Sequence, residues 1–415
     1  MEIVRELCSF ERRLAGTDAE RRAANRLAER LRELGRRAEI EPTYVHPQIG
    51  LIYAAHSVIG LAGSLVAVAI PALGFGLVLL AATSMYLDLN TRFYLLRRLF
   101  FRRASQNVVS KGRMRNAPAR LVISAHYDAA RSGAAFGPRR MRLLARLQRL
   151  LRLPLSPTRL LFWSLAVLVP ILGARMAGAE ANSISLLQLA PTLVLLTAIF
   201  ASIDIALSDV VPGANDNASG VATALSLAAE LERERPRNLD VWVVLTGGEE
   251  CMMEGMRAFV RSHREELDPR STFLLNIDSV GRGQVRFEVG EGPAVTYELD
   301  SRLTELCAAI AEADSDGENR FRAAPLRSGF ATDILPARLA RIPATTITCL
   351  EPGALVPARM HTPEDVPGAL HWKAIDGAHG FALELIRLLD RDVGRRSSAD
   401  APRTSSAHRA MAEAR

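Results

Sequence analysis

The chain has 415 residues, 49% hydrophobic and 23% charged, enough to bury one large domain or two ordinary ones. A mean hydropathy of +0.09 beside that much charge implies apolar residues gathered into blocks. The net charge of +7 is almost all arginine, Lys111 and Lys373 being the only lysines; such an excess suits anionic lipid or orientation in a membrane, and without an aromatic-interleaved basic platform or zinc-finger spacing it argues against nucleic acid.

Met1–Leu34 reads as one or two amphipathic helices. The second is Ala19–Leu34, with Ala23, Leu27, Leu31 and Leu34 at helical spacing. Glu2, Arg5, Glu6, Glu11, Arg12 and Arg13 do not make a signal peptide. Gly35 ends the helix and Arg37–Glu41 follows as a strand. From Leu51 to Leu87, 37 residues carry no Lys, Arg, Asp or Glu. One membrane span needs roughly 20 apolar residues, so the run fits two spans turning near Pro71–Gly74 better than an uncharged core hairpin.

Gln106–Ser110 and Arg120–Ser124 look like neighbouring strands, the second leading to His126-Tyr127-Asp128. Pro138–Leu153 is a basic amphipathic helix, with Leu143, Leu144, Leu147, Leu150 and Leu151 opposite Arg142, Arg146, Arg149 and Arg152. It suits either an anionic membrane surface or packing on the soluble domain. Leu160–Ala174, bracketed by Arg159 and Arg175 able to snorkel, is a third span, and Ala181–Ile203 a fourth. An even count returns everything else to one side.

Val211–Val221 is a turn-rich stretch carrying Asp216, followed by a helix over Ala218–Arg235 with Val221, Leu225, Leu227 and Leu231 on its apolar stripe. Taken alone, Asp216 reads equally as a solvated loop aspartate. Three buried-strand patterns come next: Asp240–Leu245 before Gly248-Glu249-Glu250, Thr272–Ile277 before Asp278, and Ala344–Leu350 ahead of His361. Strands of this kind alternating with helices predict a largely parallel sheet covered on both faces. Trp372–Leu389 is a closing helix and Arg395–Arg415 a disordered tail. Cys8, Cys251, Cys307 and Cys349 show no CxxC spacing and fit a reducing compartment.

His126, Asp216, Glu249-Glu250, Asp278 and His361 thus fall at strand ends or in turns that open helices. In open α/β sheets that edge forms the ligand crevice. Two imidazoles with several carboxylates suit Zn²⁺, with Mn²⁺ or Co²⁺ as alternatives. Two metals need about three ligands each with one shared, which leaves one acid over as a base. For Glu249-Glu250 the plainer reading is a helix N-terminus favouring carboxylates.

At this point the sequence resembles the M28 family of co-catalytic zinc peptidases, of the aminopeptidase Y/S type. The resemblance rests on Ser124-Ala125-His126-Tyr127-Asp128, Gly213 to Gly220, Gly248-Glu249-Glu250, Asn276 to Gly281 and His361-Thr362-Pro363-Glu364-Asp365, in that order, with Arg13-Leu14-Ala15-Gly16-Thr17 before them. It implies an α/β/α sandwich around a mixed, mostly parallel sheet, here with two inserted transmembrane hairpins. The expected division is 1–48, 91–157 and 208–392 for the peptidase domain, hairpins at 49–90 and 158–207, and a tail at 393–415. It also implies that Asp216 bridges two zinc ions, that His126 and Asp278 complete one site, and that Glu250 and His361 complete the other. Asp128 would fix the His126 tautomer and Glu249 would be the general base.

Two departures stand out. Met360 occupies the place where many relatives carry a tyrosine able to stabilise an oxyanion, and an arginine-rich helix with two spans separates Asp128 from Asp216. The expectation is therefore a multi-pass, di-zinc aminopeptidase acting on peptides at the cell membrane. Arginine excess between the hairpins places its catalytic domain in the cytoplasm. The rivals are a non-catalytic membrane scaffold and a single-zinc acyl transferase of the glutaminyl cyclase kind.

Overall fold

The computed structural model describes residues 1–114, 116–178, 182–299 and 301–400. Helix α1 (Glu2–Ser9) precedes α2 (Asp18–Glu33), which opens on Thr17 accepting from the Glu20 N–H, a side-chain cap for an otherwise unpaired donor. Strand β1 (Glu39–Val45) leads to the apolar helices α3 (Ile49–Val66) and α4 (Pro71–Leu89). The hairpin turns at Ala67–Ile70, just before the expected place. Pro71 is the first residue of α4, where a missing N–H costs nothing. Strands β2 (Arg103–Ser110) and β3 (Ala119–His126) follow, then α5 (Pro138–Leu151), α6 (Pro157–Met176) and α7 (Asn182–Leu207). The third apolar helix is thus 20 residues long, capped by Ser156, and extends past both ends of Leu160–Ala174.

The remainder alternates: α8 (Gly220–Arg233), β4 (Leu239–Thr246), α9 (Glu254–Ser262), β5 (Thr272–Ile277), β6 (Gln284–Glu291), β7 (Tyr297–Glu298), α10 (Arg302–Ser315), β8 (Ala324–Arg327), α11 (Ile334–Leu339), β9 (Ala344–Leu350) and α12 (Trp372–Asp400). The closing helix therefore runs well beyond Leu389, and residues 395–400, expected in a disordered tail, are helical. The rest of that tail and residues 179–181 of the second hairpin lie outside the described residues.

One nine-stranded sheet orders these strands β1-β2-β4-β3-β5-β9-β6-β7, with β8 beside β6. Its centre, β4-β3-β5-β9, is parallel, and both flanks are antiparallel. Strands β2 and β3 are not neighbours, contrary to expectation. The fully buried β4 lies between them, antiparallel to one and parallel to the other. Leu27, Leu225, Leu306 and Phe381, from α2, α8, α10 and α12, cover one face; Phe259 of α9 and Ile334 of α11 pack with Trp242 on the other.

Helices α3, α4, α6 and α7 are long and apolar enough to cross a membrane. They pack α3 on α4 and α7, and α6 on α4 and α7. Small residues permit the close approach: a Cβ on Gly50 would meet the Ser202 carbonyl at 2.6 Å, and one on Gly74 would meet Ala67 at 2.5 Å. Ser64 hydrogen-bonds Thr192 (2.6 Å) and accepts from Gln188 Nε2 (2.9 Å), linking α3 to α7.

The register decides where these helices leave the sheet. Val45 at the end of β1 pairs with Arg103, and Val108 of β2 pairs with Leu245 near the end of β4. The first hairpin therefore emerges at the carboxyl edge of the parallel strands. The second emerges after His126, at the carboxyl end of β3. Helix α5 meets both of its sequence readings. Met141 and Leu144 pack with Leu155 on the domain, while Leu143 and Leu150 stay 58% and 78% exposed.

Candidate active site

The turn Ala214–Ser219 holds Asp216 by pairing almost every polar group around it. The Asp365 carboxylate accepts the Asn215 and Asp216 N–H groups (2.7 and 3.1 Å). Asn217 Oδ1 accepts from Gly220 and Ser279 (2.9 and 3.0 Å), its Nδ2 donates to the Ile277 carbonyl, and Asn215 Oδ1 accepts from Gly281 (2.7 Å). These bonds bolt the turn to the segment after β5 that carries Asp278. The buried guanidinium of Arg13 donates to the carbonyls of Tyr127, Leu7, Pro212 and Gly213, tying α1 to the end of β3 and to the same turn. Gly213 holds φ +62, and a Cβ there would meet the Asp216 carbonyl at 2.6 Å.

From this base Asp216 turns its two oxygens in different directions. Oδ1 stands 3.1 Å from His126 Nε2, and Oδ2 stands 3.3 Å from His361 Nε2. Asp278 Oδ2 lies 3.8 Å from the same nitrogen of His126, and Glu250 Oε2 lies 3.2 Å from that of His361. Glu249 Oε2 is 3.9 Å from His126 Nε2. All six side chains expected at the site therefore converge. They form two triads, His126–Asp278 and Glu250–His361, each completed by one oxygen of Asp216.

Asp128 behaves differently from the expectation. Its Oδ1 is 3.5 Å from His126 Nδ1, and that nitrogen has no hydrogen-bond partner. The carboxylate instead accepts the backbone N–H groups of Glu249 and Glu250 (3.1 and 3.2 Å), so it fixes the turn that presents both glutamates.

The electrostatics of the cluster call for positive charge. Burial, Glu250 and Asp278 push Glu249 well above the usual carboxylate range, and burial with His126 and Asp216 nearby raises Asp278 to about 6. Burial alone would lower His361, but Glu250 and Asp216 carry it to about 10. Burial would raise Asp216, yet its bonds to His126 and His361 hold it below the ordinary value. Four buried carboxylates around two imidazoles are stable only with compensating cations. Glu250 Oε1 is buried without a partner, and donor atoms of His126, Asp216 and Glu250 lie within 4.8 Å of one another. This nitrogen and oxygen donor set fits zinc.

Sequence reading quoted Arg13 and Asp365 in motifs without giving them a role. Their signal was a buried charge expected to find backbone partners, which only the fold supplies. It also passed over Arg97, held by Asp88 (2.6 and 2.9 Å) and donating to the Cys251 carbonyl one residue after Glu250 (3.0 Å). The end of α4 is thereby fixed to the glutamate turn. Met360 lines the cavity beside the cluster, as does Tyr53 of α3, whose hydroxyl donates to Met252 Sδ (3.0 Å).

Residues 188–386 match the family described as Peptidase family M28. No curated protein matches the chain. Among solved structures it is similar to a zinc aminopeptidase from Bacillus subtilis (14% identity, TM-score 0.53, covering 94% of this chain and 93% of that one). It is similar also to a Zn-dependent exopeptidase from Parabacteroides distasonis (13%, 0.52, 93% and 95%). A third is the glutaminyl cyclase of Bacteroides thetaiotaomicron (15%, 0.50, 93% and 95%). At such identities the likeness establishes the fold.

Proposed function

We propose that this chain, which belongs to peptidase family M28, is a membrane-anchored di-zinc aminopeptidase removing N-terminal residues from peptides. The observation that carries the reading is the division of Asp216 between two triads, since a carboxylate with one oxygen committed to each side is what two neighbouring cations require. Residues 1–48, 91–157 and 208–392 make up the peptidase domain, and 49–90 and 158–207 the two membrane hairpins.

When bound, zinc supplies Lewis-acid polarisation of a carbonyl and acidifies water. The side chains do the rest. Glu249, buried and left out of both triads, takes the proton of the attacking water and returns it to the departing amine. Asp128 and Arg97 hold the Glu249–Glu250 turn in place, and Asp365 holds Asp216. Residues 92–159 carry the arginine excess, so this side and every site residue face the cytoplasm. Buried or partly buried free cysteines agree with that compartment.

Metal content of detergent-purified protein, measured beside hydrolysis of aminoacyl reporters, tests the reading. Two zinc ions per chain are expected. Asp216→Asn should lower occupancy at both positions and His361→Ala mainly at one. Full occupancy in Asp216→Asn overturns the bridging role, and one ion per chain with cyclising activity moves the protein to the single-zinc reading.

A further inference from the structure

A cavity of about 940 Å³ adjoins the cluster, and His126, Asp216, Glu249 and Glu250 form one end of it. Such a volume is at the upper end for a small-molecule pocket. Its other walls are not those of a soluble cleft. They come from the start of α3 (Ile49, Gly50, Tyr53), the start of α6 (Leu160, Leu161) and the last three turns of α7, including Ala198 and Ala201. All three are helices long and apolar enough to span a membrane. Helix α5 closes the remaining side with Met141, Leu143, Leu144 and Leu147. At the rim, Leu143, Leu147, Leu160 and Phe200 are 58%, 39%, 41% and 67% exposed. Apolar rims of that size are a liability in water but not against acyl chains.

We propose that this cavity receives an apolar polypeptide segment from the inner leaflet, passing between α5 and the α6–α7 hairpin with its N-terminus toward Glu249. The assignment rests on the aminopeptidase reading and names its substrate class. The scissile amide must lie at the cluster, and everything that follows it in the substrate lies along walls of Leu, Ala and Phe. Burying each such substrate side chain is worth about 1.5–3 kcal/mol, whereas a polar segment would lose its water without gaining partners. The arginines on the outer side of α5 hold that helix at an anionic surface, which keeps the rim at the depth where such a chain emerges.

The test uses full-length zinc-loaded protein in phosphatidylethanolamine–phosphatidylglycerol vesicles and two peptides that both begin Leu-Ala. One continues as an apolar membrane-spanning segment, the other as a soluble Gly/Ser chain. The wild type should favour the membrane peptide at least tenfold in kcat/KM, and Phe200→Arg should abolish most of that preference. Leu147→Ser, a milder change on the surface helix, should reduce it severalfold and serves if Phe200→Arg does not insert. Equal rates on both peptides, or a preference untouched by either variant, overturns the cavity assignment alone. Failure to cleave either peptide defeats the aminopeptidase reading instead. A phospholipid that co-purifies in the cavity and blocks both peptides equally also counts against the proposal.

Discussion

Replacing Glu249 with Gln removes one negative charge and almost no volume, so its consequences can be worked out one by one. A general base contributes about 10²–10⁴ in rate, or about 2.7–5.4 kcal/mol of barrier. Glu249→Gln should lower kcat on a Leu reporter within that range and leave KM nearly unchanged, since the backbone N–H that Asp128 holds is retained. Metal content should stay at the wild-type level. The contrast is with Asp278, whose carboxylate stands only 0.1 Å nearer the same nitrogen of His126 (3.8 against 3.9 Å). Asp278→Asn should lose metal. The metal-free proteins give an independent readout. Burial and the neighbouring Glu250 and Asp278 raise the Glu249 pKa in the folded state. An acid raised in this way adds stability below its unfolded value of about 4.5 and loses it as pH rises through the folded value. Chelated Glu249→Gln should therefore be more heat-stable than chelated wild type at pH 8, and the gain should vanish near pH 4. Near-normal turnover, or loss of zinc in Glu249→Gln, refutes the assignment.

Three further outcomes are expected. Arg97→Met should destabilise the protein by roughly 3–5 kcal/mol by leaving Asp88 buried and unpaired, and the double variant with Asp88→Leu should recover stability but not turnover, because the bond to the Cys251 carbonyl is gone; thermal unfolding in detergent and reporter hydrolysis read the two effects separately. His263 is raised by Glu41 first and also by Glu266, at 2.9 and 2.8 Å, so its contribution is full below about pH 6.5 and fades as pH rises through its folded value; His263→Gln should cost roughly 1 kcal/mol at pH 6 and less at pH 9, and a loss independent of pH contradicts the pairing. In intact cells, with Cys8 replaced by Ala, an impermeant thiol reagent should label a cysteine at Ala177 and spare one at Ser397; the reverse pattern places the catalytic domain outside.

What the sequence made legible is the chemistry carried by single short segments. Strands β5 and β9 were read to the residue, because six or seven buried residues between turn signals leave little freedom. The six side chains of the cluster were named before any fold was available, since each follows a strand or opens a helix. What stayed hidden depends on partners far along the chain. Strand β4 separates β2 from β3 because of pairings more than a hundred residues apart. Strands β6, β7 and β8 went unread, β6 mixing Arg286 and Glu288 with Val285 and Phe287 in a pattern that reads as neither buried nor half-buried. The role of Asp128 shifted for a similar reason: adjacency to His126 suggested a ring partner, while the fold brings it the Glu249 and Glu250 amides.

The position of the two insertions carries a consequence for what the enzyme can reach. Membrane helices that served only as an anchor could join the domain at a terminus or at the amino edge of its sheet, leaving the crevice open to solvent. Here both hairpins leave from the carboxyl edge, the edge on which His126, Glu249 and Asp278 stand. Leu207 ends the last apolar helix nine residues before Asp216, so the two are separated by at most about 30 Å of extended chain. Arg159 at the base of α6 donates to Thr296 Oγ1 (2.9 Å), and Trp163 donates to the Ala294 carbonyl (3.0 Å), clamping the loop after β6 onto the same helix. The crevice therefore cannot turn toward bulk solvent without breaking these contacts and the Asp88–Arg97 pair. A soluble peptide must approach past the arginines of α5, which repel its N-terminal ammonium. An apolar chain already at the membrane surface meets no such barrier, so the same anchoring that places the site also selects its substrates.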